Sequence, residues 1–202
     1  MQYMDFHCDT LSCAFFQQRE DLTQLTNAMV TPEKLVAGEC MAQFFAIYMI
    51  PEQDKGKYAV PVPEDEAYIE ALRQILLRTV QQYPDRMALA CNASQLEDNR
   101  RQGRISAFLT LEDGRAVQGH MEKLETFYHM GIRLISLTWN YANCFGFPNS
   151  FDKQTMQRGL TAFGKDAIRR MNELGMLVDV SHLSDGGFWD VAELCKKPFI
   201  AS

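Results

Sequence analysis

Residues 40–50 read Cys-Met-Ala-Gln-Phe-Phe-Ala-Ile-Tyr-Met-Ile, with Gln43 the one strongly polar side chain. A run this short and this apolar has no face to offer to water, so it fits a strand covered on both sides, as in a parallel sheet. Residues 105–111, 132–138 and 176–180 are of the same kind. Between them the apolar residues recur at helical spacing: Tyr68, Leu72, Ile75, Leu76 and Val80, then Met121, Leu124, Phe127 and Tyr128, then Ala167, Met171 and Leu174, then Phe188, Val191 and Leu194. Strands alternating with helices at this interval mean right-handed parallel units, and so an α/β fold.

The punctuation agrees with that pattern. Thr31 can cap a helix whose first position suits Pro32, and Gly38 ends it. Residues 53–63 form a loop, Pro84 ends the long helix after it, and Ser94 with Glu97 has the spacing of a capping box. Gly131 and Gly175 close two helices, and Ser184 can cap the last. Residues 198–202 open a sixth strand. With no repeat, low-complexity tract or linker, the chain reads as a single domain over residues 1–202 with one core; 47% apolar and 23% charged residues are ordinary globular proportions. A net charge of −6 argues against a nucleic-acid binder, which needs basic surface to displace counterions. Nothing approaches the roughly 18 apolar residues of a membrane span, and the start lacks the basic and apolar regions of a secretory signal, so a cytoplasmic setting is expected. There the six cysteines, with no CxxC pair, stay reduced and act as small buried apolar residues.

Chemistry concentrates at strand ends. Residues 5–11 read Asp-Phe-His-Cys-Asp-Thr-Leu, and in an extended strand His7 and Asp9 point the same way, with Asp5 in their row. An imidazole and a carboxylate so placed suit zinc, manganese or cobalt. Glu112 follows the third apolar run and His182 the fifth. Taken singly, a His-x-Asp can cap a turn, Glu112 can be a solvated carboxylate and His182 a core histidine or helix cap. Their common arrival at carboxyl ends of strands favours a barrel, whose strands open there onto one rim. An open nucleotide-binding sheet would carry a Gly-rich turn after its first strand instead. His120 and His129 fall on a helix between strands and are read as structural.

The same blocks resemble the zinc-dependent membrane (renal-type) dipeptidases and their bacterial relatives. The resemblance runs in order through the 5–11 block, Ala-Gln-Phe-Phe-Ala at 42–46, Leu-Glu-Asp-Gly at 111–114, Gly-Ile-Arg-Leu-Ile-Ser-Leu-Thr-Trp-Asn at 131–140, Gly-Leu-Thr-Ala-Phe-Gly at 159–164 and Leu-Val-Asp-Val-Ser-His-Leu-Ser at 177–184. It implies a (β/α) TIM-like metallo-hydrolase barrel, incomplete at about six of eight strands, that uses two zinc ions. His7 and Asp9 match ligands of the first metal, Glu112 the bridging, catalytic carboxylate, and His182 a ligand of the second. The family's next ligand is a histidine that would follow Ser202, so a weak second site and poor peptidase activity are expected of the chain as written. Trp139 stands where animal enzymes carry a histidine; it can shape and dry a pocket but supplies no acid or base, and with Asn140 it is assigned to substrate contact. The implied activity is hydrolysis of small dipeptides by attack of a metal-bound hydroxide. Two alternatives stay open: an amidohydrolase-like enzyme on a non-peptide amide, and an inactive fragment serving as a binding or assembly module. Open barrel edges would be covered by a homo-oligomer or a complementing chain.

Overall fold

The structure, a computed structural model, describes residues 2–202. It holds two compact units, one reaching to Thr110 and the other running from Leu111 to Ser202.

The first unit contains β1 (Tyr3–Asp5), α1 (Thr10–Phe16), α2 (Pro32–Ala37), β2 (Cys40–Tyr48), α3 (Asp65–Gln82), β3 (Met87–Leu89), α4 (Ala93–Arg101) and most of β4 (Ile105–Glu112). β1 pairs in parallel with β2, Asp5 standing opposite Gln43, and β3 pairs in parallel with β4. β2 lies beside β4, where Phe44 stacks on Phe108 with centroids 4.5 Å apart. The apolar runs are thus strands, as their composition requires; every residue of β4 is buried. α3 turns Tyr68, Ile69, Leu72, Ile75 and Leu76 inward.

α1 and β3 escape a reading by pattern. α1 is Thr-Leu-Ser-Cys-Ala-Phe-Phe, poor in strong helix formers. Tertiary packing holds it: Leu11 and Ala14 are fully buried, and Phe15 meets Tyr68 of α3 edge to face at 5.1 Å. β3 has three residues, too few to show alternation. Two expectations are corrected. The cap of α4 is Asn92, which accepts from the Gln95 amide at 2.9 Å, while Gln95 Oε1 accepts from the Cys91 amide; Ser94 lies inside the helix. Of the six cysteines expected to be buried, Cys8 and Cys40 are; Cys91, Cys144 and Cys195 are half-buried, and Cys13 is exposed on α1.

The second unit contains a short 3₁₀ turn (Gly114–Val117), α5 (Met121–His129), β5 (Ile132–Ser136), α6 (Lys153–Met156), α7 (Ala162–Leu174), β6 (Leu177–Asp179) and α8 (Asp185–Leu194). β5 and β6 are parallel, with Ser136 opposite Asp179. The expected sixth strand is present as a parallel bridge from Ile200 to Asp179, joined by hydrogen bonds to Val178 and Val180. Gly131 and Gly175 take φ of 100° and 73°, as helix-closing glycines do. Ser184 caps α8 by accepting from the Gly187 amide.

Phe145 is fully buried in a slot that two glycines leave open. A Cβ at Gly114 would lie 2.5 Å from its ring, and one at Gly164 would lie 2.1 Å from its carbonyl oxygen. The second contact is with backbone, which cannot swing aside. Gly164→Ala therefore destabilises the fold by about 1–3 kcal/mol, the usual cost of overpacking, read as a lower urea midpoint. A second expectation concerns alkali. Burial pushes the Tyr68 phenol up to about 12, so above pH ~10 the unfolded chain loses a proton that the native state keeps. The stability held below that pH is lost as pH rises from about 10 to 12, on the order of 2–3 kcal/mol. Tyr68→Phe removes this step, and urea titrations of both proteins across that range will diverge in its favour.

Candidate functional site

In the first unit, β1 leads into His7. The ladder with β2 continues one step past the strand: the Cys8 amide donates to Phe44 O at 3.1 Å and the Ala46 amide donates to Cys8 O at 3.0 Å. Phe6 packs on Phe44 at 4.7 Å and pins the same step. Asp5 accepts from the His7 amide at 3.2 Å, so its carboxylate shapes the backbone of the candidate ligand. Asp9 is not extended; at φ −92°, ψ 19° it begins α1. Strand alternation therefore stops at Cys8, and a turn brings His7 Nε2 to 3.5 Å from Asp9 Oδ1. Cys8 is buried, and burial pushes its thiol up to about 12, which leaves it an apolar spacer with no thiolate to offer.

In the second unit, Glu112 is the last residue of β4 and only 6% exposed. His182 Nε2 lies 3.4 Å from Glu112 Oε1. The histidine sits in a left-handed turn at φ 64°, held by its own carbonyl, which accepts from the Asn149 amide at 2.7 Å and from Thr138 Oγ1 at 3.3 Å. Trp139 stands with its ring 6.4 Å from that of His182; Asn140 follows it and is exposed. The structure thus gathers Glu112, His182 and Trp139 in one unit, and His7 with Asp9 in the other.

Polar residues that sequence reasoning missed support this. Asp113, also left-handed at φ 72°, accepts from the Arg115 amide at 3.1 Å and from Asn143 Nδ2 at 2.7 Å. Burial pushes its carboxyl up to about 6. Asn143 also donates to Leu137 O and accepts from the Phe145 amide, both at 2.8 Å, and so braces the loop that carries Trp139. Asp179 ends β6 fully buried. It was legible as the lone acid in the apolar run 176–180.

Both histidine–carboxylate separations are informative. A charge-assisted hydrogen bond draws its atoms to about 2.7–2.9 Å. Two donors each about 2.0–2.1 Å from one tetrahedral ion stand about 3.4 Å apart. The 3.4 Å and 3.5 Å pairs match the second figure. His120 and Glu122 beside α5 are 3.3 Å apart as well, but both are exposed, whereas each of the other pairs has a half-buried or buried member, His7 in one and Glu112 in the other. His129 ends the same helix, exposed and edge-on to Tyr128.

The chain is 26% identical over 202 residues to Dipeptidase tcpJ of Claviceps purpurea (strain 20.1), covering 99% of this chain and 45% of that protein. A Klebsiella pneumoniae protein encoded in the pqqA 5′ region is 34% identical over 134 residues, covering 63% of this chain and 48% of the relative. The chain spans less than half the length of these relatives. Among solved structures, the metallopeptidase dipeptidase AC superposes with a TM-score of 0.80 at 23% identity, covering all of this chain and 62% of the other. A Rhodobacter sphaeroides metallopeptidase, liganded with a phosphinate mimic of the dipeptide L-Ala-D-Ala, gives 0.79 at 22%, again covering all of this chain and 64% of the other. These likenesses establish the fold as an incomplete TIM-like (β/α) barrel. The family model described as membrane dipeptidase (peptidase family M19) matches residues 1–202, and the chain belongs to that family.

Proposed function

We propose that the protein is a metal-dependent dipeptidase in which His7, Asp9, Glu112 and His182 are the metal ligands. The observation that carries the reading is the spacing of the two histidine–carboxylate pairs, 3.5 Å and 3.4 Å, each close to that of two ligands of one tetrahedral ion. In this reading Glu112, buried at the end of β4, is the ligand shared between the pairs.

The donor set fits zinc. Imidazole nitrogen and carboxylate oxygen without thiolate is the chemistry of catalytic rather than closed structural zinc sites. Bound dications supply a more acidic water and a polarised peptide carbonyl. The chain's own residues do the rest. Glu112, buried at the end of β4, presents a carboxylate 3.4 Å from the His182 imidazole. His182 is set by its clamped carbonyl, and the half-buried Trp139 narrows and dries the space where a small peptide lies. The mimic held by the Rhodobacter sphaeroides relative is a dipeptide analogue, which supports small peptides as the substrate class over non-peptide amides. Among the described residues no helix is long and apolar enough to cross a membrane.

Two measurements test the reading. Metal content after dialysis against zinc should reach about one to two ions per chain, falling with His7→Ala and with His182→Ala; wild-type content in both variants refutes the ligand assignment. Hydrolysis should be confined to dipeptides when these are offered beside N-acyl amino acids and lactams, should cease with a chelator and return with zinc, and should drop about a thousandfold or more in Glu112→Gln, the loss expected when a metal's several kcal/mol of transition-state stabilisation goes. Chelator-resistant turnover, or turnover of lactams alone, contradicts it.

A further inference from the structure

Asp179 is fully buried, and its carboxylate ties three segments together. Oδ1 accepts from the Ser181 amide at 2.9 Å and the Ser202 amide at 3.2 Å, while Oδ2 accepts from Ser202 Oγ at 2.8 Å and from Ser136 Oγ. Its donors among the described residues are hydroxyls and backbone amides, none of them a cation. Buried charges are ordinarily paired or placed by a metal, and here the carboxylate is met by neutral donors among the described residues. The charge lies three residues before His182, on the turn that sets the left-handed backbone of that histidine. The lengths involved also matter, because Ser181, held by Asp179, immediately precedes His182, which Thr138 and Asn149 hold from the other side.

We infer that Asp179 is a positioning residue for the cation held by Glu112 and His182: it fixes the Ser181–His182 turn and sets a buried carboxylate three residues before the histidine. The inference rests on the metal reading proposed above and goes beyond it, since Asp179 touches neither metal nor substrate. It also couples the site to the segment ending at Ser202, whose amide and hydroxyl share the same carboxylate.

Asp179→Asn separates charge from geometry. The amide oxygen can still accept from both backbone amides, and the amide nitrogen can donate to the serine hydroxyls, which rotate to accept. The measurement is Co2+ affinity, by competition with a chelating dye, for the binding that His182→Ala removes. Asp179→Asn should weaken it about 10–100-fold, the usual loss when a residue supporting a ligand is changed, while the midpoint of thermal unfolding of the metal-free protein moves by no more than about 4 °C. Wild-type Co2+ affinity in Asp179→Asn, or a loss of affinity accompanied by a larger fall in metal-free melting, overturns the inference. If His182→Ala itself leaves Co2+ binding unchanged, the ligand assignment fails and this inference falls with it; if His182→Ala removes binding and Asp179→Asn does not weaken it, Asp179 alone is misassigned. Should Asp179→Asn not fold, Ser136→Ala removes one donor and leaves the charge, and should weaken the same binding about fivefold, the worth of one net hydrogen bond; unchanged affinity there also overturns it.

Discussion

A carboxylate withdrawn from water has to be met by donors or by a cation, and this chain withdraws three of them at strand ends. Glu112, Asp113 and Asp179 are 6%, 1% and 0% exposed. Asp113 is met by an asparagine side chain and a backbone amide, and Asp179 by serine hydroxyls and amides. Glu112 stands 3.4 Å from the His182 imidazole. Unpartnered, groups like these would cost several kcal/mol each, so the local backbone is arranged around them.

That arrangement explains two strained positions. Asp113 and His182 are non-glycine residues with φ of 72° and 64°, a region disfavoured by Cβ sterics and seen where the surroundings over-determine it. At Asp113 the side chain anchors Asn143, which in turn fixes the loop from Leu137 to Phe145. At His182 the carbonyl is held by Thr138 and Asn149, and the neighbouring antiparallel bridge from Leu183 to Pro148 closes the turn. Phe145, seated against Gly114 and Gly164, links this loop to the first turn of α7. The imidazole is therefore presented by a backbone with little freedom to drift.

The strands were legible because burial on both faces leaves a compositional mark: the runs at 40–50 and 105–111 could hardly be anything else. The glycine caps at Gly131 and Gly175 were legible because a left-handed helix end nearly specifies its residue. α1 was not, because its helix is imposed by Leu11, Ala14 and Phe15 packing against their neighbours rather than by local preference. The same helix changes how His7 meets Asp9, replacing the strand alternation expected of them by a turn. The cap of α4 moved from Ser94 to Asn92 because both residues suit the role and only the register of the chain entering the helix decides. Histidines and the strand-end glutamate stood out by type and position. Their support did not: Asn143 and Thr138 are ordinary residues until the backbone groups they bond are known.

Metal held by His7, Asp9, Glu112 and His182 is what the proposed chemistry requires. Anomalous diffraction at the zinc edge from crystals grown with zinc tests it directly. The account predicts scatterers about 2.0–2.2 Å from His7, Asp9, Glu112 and His182, with the carboxylate of Glu112 touching more than one of them; crystals that fill with zinc elsewhere while these four side chains carry no scatterer would contradict it.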